Sequence, residues 1–245
     1  MYDTDLAAIY DDLYQDRMGK DYIAEAGELA ALVNAHHPHA SSVLDVGCGT
    51  GGHLEGLRHH FAHVEGVEPA PAMRAIATRR LPGVAIHDRT MEAFDLGRTF
   101  SAVLFLFSTI GYATTEDRMC ATVACLAAHT EPGGVVIVEP WFSPGQWIDG
   151  HVTHTVAATG SRTVIRMTRS TRDGAAVSRM DMHYLVADQH TPIRHFHDTH
   201  VMGLYTGEQY QQALTAAGLT RVTTFAGWKA GRPRFLAIKA AAGNA

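Results

Sequence analysis

Val43-Leu44-Asp45-Val46-Gly47-Cys48-Gly49-Thr50-Gly51 is the stretch from which the fold is read. A short apolar strand runs straight into a turn with glycine at alternate positions, and a helical pattern opens at Gly52 and continues to His60. Glycine at a strand end allows a sharp turn and lets backbone N–H groups come close to a ligand. Such a strand, turn and helix begin a parallel α/β sheet that binds a cofactor. The glycines alone do not say which one.

Outward from this unit the chain keeps alternating. Strands are expected at 64–67, 84–87, 102–107 and 134–138, with helices at 71–80 and 116–129 between them. Strands separated by helices of this length imply a parallel sheet with helices on both faces, a Rossmann-like α/β fold. Two amphipathic helices, 1–15 and 20–36, precede the sheet, and Pro38 breaks the second. After Pro140 the helical period disappears. Short alternating runs at 163–168, 179–186 and 195–204, with the hairpin signal Arg172-Asp173-Gly174, predict an antiparallel β insert over residues 141–204, capping the carboxyl edge of the sheet. A helix at 207–217 and strands at 221–225 and 235–239 close the chain, which reads as one unit over 1–245.

Two carboxylates narrow the choice of cofactor. Asp45 lies inside the strand end, just before the glycine turn, where it would repel the pyrophosphate of a dinucleotide. S-adenosylmethionine (SAM) has no phosphate but carries a sulfonium and an ammonium, which a carboxylate attracts. Glu68 closes the next strand, where an acid accepts hydrogen bonds from both ribose hydroxyls.

Composition excludes several other classes. The formal net charge is −5 and no Lys/Arg run supplies a counterion-displacing surface, so nucleic acid is not the expected partner. No apolar run is long enough to span a membrane. Cys48, Cys120 and Cys125 match neither a zinc spacing nor a disulfide framework, and a reduced, cytoplasmic setting is expected. Among the histidines, His195, His197 and His200 have a metal-like spacing, but no carboxylate or cysteine completes a set, so no metal is expected.

The glycine segment with Asp45 resembles the first motif of class I SAM-dependent methyltransferases. That resemblance implies cofactor contacts from Asp45, Gly47, Cys48, Gly49, Glu68, Pro69, Met73, Met91 and Leu106. Thr90 takes the place of the family's adenine-contacting Asp, with Asp88 the other candidate acceptor.

The whole chain also resembles the TDP-amino-deoxysugar N-methyltransferases of the desosamine and mycaminose type. The marks are Tyr2, Tyr10, Gly19-Lys20-Asp21-Tyr22, Phe107-Ser108-Thr109-Ile110-Gly111-Tyr112, Glu139-Pro140-Trp141, Arg179-Met180-Asp181-Met182-His183, Arg194-His195-Phe196 and Gly231-Arg232-Pro233-Arg234. The resemblance implies methylation of the sugar's amine, twice, in antibiotic biosynthesis, and it allows a homodimer. It assigns Tyr10 and Tyr22 to the cofactor. Tyr2, Phe107, Tyr112, Trp141, His183 and Arg232 go to the substrate, with Arg232 on the diphosphate and Arg234 left as a surface charge. Tyr112, Tyr2 and His183 would stand by the reacting amine, Tyr112 orienting it or accepting its proton. The place where planar-nitrogen methyltransferases carry an Asn/Asp-Pro-Pro-aromatic loop reads Leu106-Phe107-Ser108-Thr109, which suits an sp³ amine. The rival within the fold is O-methylation of a nucleotide sugar or other small molecule. That reaction needs a stronger general base.

Overall fold

The computed structural model describes residues 3–17, 19–227 and 232–241. Tyr2 lies outside them. Helix α1 (Thr4–Asp11) passes into a π-helical segment (Asp12–Arg17), and α2 (Tyr22–His36) follows. Asp3 and Asp21 start the two α-helices, each accepting a backbone N–H of the first turn at 2.9 Å. The alternating core then runs β1 (Ser42–Val46), α3 (Gly52–Leu57), β2 (His63–Val67), α4 (Pro71–Arg80), β3 (Ala85–His87), β4 (Phe100–Phe105), α5 (Glu116–Ala128) and β5 (Thr130–Val138). Strands β6 (Val152–Thr159), β7 (Arg162–Arg172), β8 (Val177–Ala187) and β9 (Arg194–Gly203) form the insert, and α6 (Gly207–Ala216), β10 (Leu219–Phe225) and β11 (Arg234–Lys239) complete the sheet.

The main sheet has seven strands in the order β10-β11-β5-β4-β1-β2-β3. It is parallel from β5 to β3, and β11 runs antiparallel to both β5 and β10. Every residue of β4 is buried, as a central parallel strand requires. Ala102 and Leu104 pack with α2 and α3 on one face, while Val103 and Phe105 pack with α5 and α6 on the other. Strand β5 begins ahead of the expected 134–138 and takes in Glu131-Pro132-Gly133, and its pairing with β4 shifts register between Phe100 and Ala102.

The insert is a separate four-stranded antiparallel sheet, β6-β7-β8-β9. Its inner face (Ala157, Val164, Met182, Tyr184, Val186) packs on Leu6, Ile9 and Leu13. The opposite side of α1 puts Ala7 and Tyr10 on Ala70 and Met73, at the mouth of the main sheet. Helix α1 is therefore wedged between the insert and the cofactor end of the fold. Strand β6 is absent from the sequence-based reading because its large apolar residues, Val152 and Val156, point outward and are 56% and 42% exposed.

Candidate active site

Strand order reverses between β1 and β4, and the crevice at their carboxyl ends is where open α/β sheets bind ligands. The turn after β1 is tied down by Gly47 N and Cys48 N, which donate to Val67 O at 2.7 and 3.1 Å. Gly47 has φ +69° and abuts the Thr109 side chain, which a Cβ there would meet at 2.6 Å. Gly49 also has positive φ, but a Cβ there would have no neighbour within 4 Å, so its backbone faces open space. Its N–H donates to Glu68 Oε2 at 2.9 Å, and Ala70 N donates to Oε1 at 2.8 Å. Glu68 thus holds the glycine turn in place with the same carboxylate that is expected to meet the ribose. Burial raises its pKa, and the two N–H donors oppose the shift.

Asp45 forms the floor. It is buried, and its Oδ2 has no hydrogen-bond partner among the described residues. Burial, reinforced by the Glu68 charge and opposed by Lys20, pushes its carboxyl up to about 8. A buried acceptor left open beside a second carboxylate calls for a cation or an N–H donor, and it repels phosphate. The donor set therefore fits SAM, which carries an ammonium and a sulfonium and whose ribose offers hydroxyls.

The roof is aromatic. Tyr10 and Tyr14 lie 4.7 Å apart by ring centroid, and Tyr14 meets Phe107 edge-on at 4.9 Å. Lys20 is buried beneath them, ion-paired with Glu25 and with its ammonium 4.8 Å from the Phe107 centroid. Burial lowers its pKa to about 7, with Arg234 and Arg232 adding to the shift and Glu139 and Asp45 opposing it. Tyr22 packs flat on the start of α3, where a Cβ on Gly52 would meet its ring at 2.8 Å. Asp11 fastens this roof to the cofactor turn: it accepts from Arg80 Nη2 at 2.5 Å and from Thr50 Oγ1 at 2.9 Å. Lys20, Tyr14 and the Asp11–Arg80 latch are site features that sequence reasoning did not find.

On the acceptor side β4 ends in strain. Phe107 and Ser108 follow one another at φ 54° and 63°, a left-handed conformation that costs non-glycine residues about 1–3 kcal/mol each. The turn is held by Ser108 Oγ donating to Pro140 O at 2.8 Å and by Thr109 Oγ1 donating to Leu106 O at 2.9 Å. It leads into a 3-10 segment, Thr109–Tyr112. There Tyr112 Oη sits 2.5 Å from His200 Nδ1, and His200 Nε2 is 3.3 Å from Asp198 Oδ2. Trp141 donates from its indole to Ser178 Oγ at 3.1 Å. The Arg232 guanidinium lies over Phe142 at 4.7 Å and over Trp141 at 5.5 Å, and donates to Ser108 Oγ at 3.3 Å.

Most of the expected residues converge here: Asp45, Gly47, Cys48, Gly49 and Glu68 below, Tyr10, Tyr22 and Met73 around the rim, and Leu106, Phe107, Tyr112, Trp141 and Arg232 beside them. Pro69 continues from Glu68 into α4, and its carbonyl accepts from Arg74 at 3.1 Å. Thr90 is exposed and Met91 half-buried beyond β3, while Asp88 is engaged by Arg74 at 2.9 Å.

Two expectations are corrected. His183 lies on the outer face of the insert and does not point into the crevice. Met182 and Tyr184 point inward, so the strand's alternation turns His183 outward, where it stacks on His195 and His197 at 5.3 and 5.7 Å. By the same parity His200 points inward, away from His195 and His197. Arg234 is no surface charge: it is buried, bonded to Glu139 at 2.9 Å and paired with Glu25.

A seven-stranded sheet of this order with an acid-floored glycine turn at its switch point defines a class of protein. Residues 14–224 match the family model of the methyltransferase domain, and the chain belongs to that family. More particularly, it is 45% identical over 98% of its length, and over 100% of the relative's, to the dTDP-3-amino-3,4,6-trideoxy-alpha-D-glucopyranose N,N-dimethyltransferase of Streptomyces venezuelae. It is 42% identical over 98% of its length, and 94% of the relative's, to the dTDP-4-amino-2,3,4,6-tetradeoxy-D-glucose N,N-dimethyltransferase of Saccharopolyspora spinosa. Among solved structures, SAM-bound CalS10, an amino pentose methyltransferase of calicheamicin biosynthesis from Micromonospora echinaspora, superposes with a TM-score of 0.84 at 42% identity, covering 98% of both chains.

Proposed function

We propose that this protein methylates the amino group of a TDP-linked amino-deoxysugar twice, using SAM, to give a dimethylamino sugar in antibiotic biosynthesis. The observation that carries the reading is the buried Asp45 carboxylate with an open oxygen, at the switch point of a methyltransferase sheet. The full-length relatives point to the sugar class.

When bound, SAM supplies an electrophilic methyl group on sulfur. Asp45 receives the ammonium of the amino-acid end, and Glu68 meets the ribose while keeping Gly49 in place. Gly47 and Cys48 bring backbone close to the ligand. Tyr10, Tyr22 and Met73 cover it, and Pro69, Thr90, Met91 and Leu106 border the adenosine. The neutral amine is already a strong nucleophile, so the protein chiefly aligns it and excludes water. Orientation of this kind contributes roughly 7–11 kcal/mol. Tyr112 holds the amine, Phe107 and Trp141 wall the sugar and base, and Arg232 binds the diphosphate, a role suited to a guanidinium.

Among the described residues no helix is long and apolar enough to cross a membrane, and all three cysteines are free, which supports a reducing, cytoplasmic setting. The outer face of the insert exposes Val152, Val156, Ile165, Met167 and Leu185, which supports a homodimer formed through that face.

Incubation with labelled SAM and matched panels of TDP-amino and TDP-hydroxy sugars tests the reading by mass. A gain of two methyl groups on the amine is expected. Label on the hydroxy sugars alone overturns it.

A further inference from the structure

We propose that Tyr112, His200 and Asp198 form a proton relay leading from the acceptor amine into the fold, an inference that rests on the amine reading above. Aliphatic amines are largely ammonium near neutrality and cannot attack until they lose a proton. Each methyl group added to the nitrogen also requires one proton to leave, so a dimethylating enzyme meets this need repeatedly.

The three groups follow one another in space. Tyr112 is delivered to the crevice by the strained Phe107-Ser108 turn, and its hydroxyl is 2.5 Å from His200 Nδ1. The far nitrogen of that ring is 3.3 Å from Asp198 Oδ2, and the two side chains are only 8% and 12% exposed. Asp198 and His200 are alternate residues of β9 on its inner face, so one strand positions both. Their partners across the ladder on β8 are Met182 and Met180, which offer no competing charge. The titratable groups packed around the relay are Tyr10 and Tyr14 from the α1 side, Tyr184 on β8 and Arg166 on β7, which donates to Tyr14 at 3.3 Å. Burial works against the Asp198 charge, but hydrogen bonding and charge interaction with His200, and then with the N-terminal amino group, hold its carboxyl at about 2, so it is ionised near neutrality.

The transfer balances. The ammonium N–H bond breaks as an O–H bond forms on Tyr112. The phenolic proton passes to His200 Nδ1, and Asp198 stabilises the resulting imidazolium. The freed lone pair then takes the methyl group, and the imidazolium releases its proton to solvent. Only Tyr112 touches the substrate. His200 and Asp198 are positioning residues that act through it.

The test is the rate of methyl transfer to a TDP-amino sugar as a function of pH, for the wild type, His200→Asn, Asp198→Asn and Tyr112→Phe. Folding is checked by calorimetric binding of S-adenosylhomocysteine. His200→Asn keeps a polar side chain of similar reach that cannot carry the proton. The relay predicts wild-type ligand affinity and a kcat roughly tenfold to hundredfold lower near pH 7, a deficit that shrinks as solvent deprotonates the amine toward about pH 9.5. Asp198→Asn and Tyr112→Phe should show deficits with the same pH trend. A uniform loss at all pH values, or a His200→Asn curve that overlays the wild type, overturns the relay and leaves the amine reading intact. Wild type that turns over none of the TDP-amino sugars overturns both.

Discussion

Replacing Asp45 by asparagine should strengthen the fold and weaken the cofactor in the same stroke. Its carboxyl stands at about 8 in the folded protein against an ordinary 3.8. An acid with a raised pKa keeps its proton in the folded state at pH values where the unfolded chain has released it. The penalty is therefore absent below pH 4, grows as pH rises, and is complete above about pH 8. At pH 7 the shift corresponds to up to about 4 kcal/mol, which the uncharged asparagine relieves. Binding has the opposite sign. Near pH 7 about one free molecule in ten carries the ionised Asp45 that the ligand's ammonium selects, so affinity should rise about tenfold per pH unit from 6 and level off near 8. Calorimetry with S-adenosylhomocysteine in two buffers of different ionisation heat should count close to one proton released near pH 7. Asp45→Asn should abolish that release, bind about a hundredfold more weakly at pH 8, and unfold at higher urea. A flat pH dependence in the wild type, together with an Asp45→Asn protein less stable than its parent, would refute the electrostatic reasoning.

Three further outcomes follow from the same geometry. Glu68→Ala removes the acceptor of Gly49 N and Ala70 N, and should weaken S-adenosylhomocysteine binding by roughly tenfold to hundredfold, with Glu68→Gln partly restoring it, by calorimetry. Arg234→Met leaves Glu25 and Glu139 without their shared guanidinium, and urea unfolding should register a loss of about 3–5 kcal/mol. His183→Ala, altered on the outer face of the insert, should keep kcat within about twofold, and a loss of tenfold or more in initial rate would return His183 to the site.

The parts legible from sequence are those that local chemistry dictates. Asp45, the glycines and Glu68 sit on consecutive strand ends, and a strand passing into a glycine turn and then a helix has few other ways to fold. Strand β4 was equally plain, since a strand buried throughout reads as a nearly continuous apolar run. The readings that failed depended on which side of an element faces inward. Only the pairing of β8 with β7 and β9 determines whether His183 or Met182 points to α1, and a shift of one residue exchanges them. Strand β6 escaped notice because its apolar residues face outward, against the usual pattern. Lys20 and Tyr14 meet Phe107, and Arg234 meets Glu25 and Glu139, all far along the chain, and a lysine or arginine that is buried because it is paired looks in sequence like any surface cation.

On the proposed function, the wedging of α1 between insert and sheet bears on the order of events in turnover. A helix gripped by Leu6 and Ile9 on one side and by Tyr10 on the other, and pinned through Asp11 to Arg80, would lie over the spent donor. Two methylations consume two donors, so on that reading the contacts of this helix would have to open between them, at a moment when the sugar already bears one methyl group. Whether the half-finished sugar stays or escapes would then depend on where its anchoring contacts lie, and the proposed ones, Arg232, Trp141 and Tyr112, all lie outside α1.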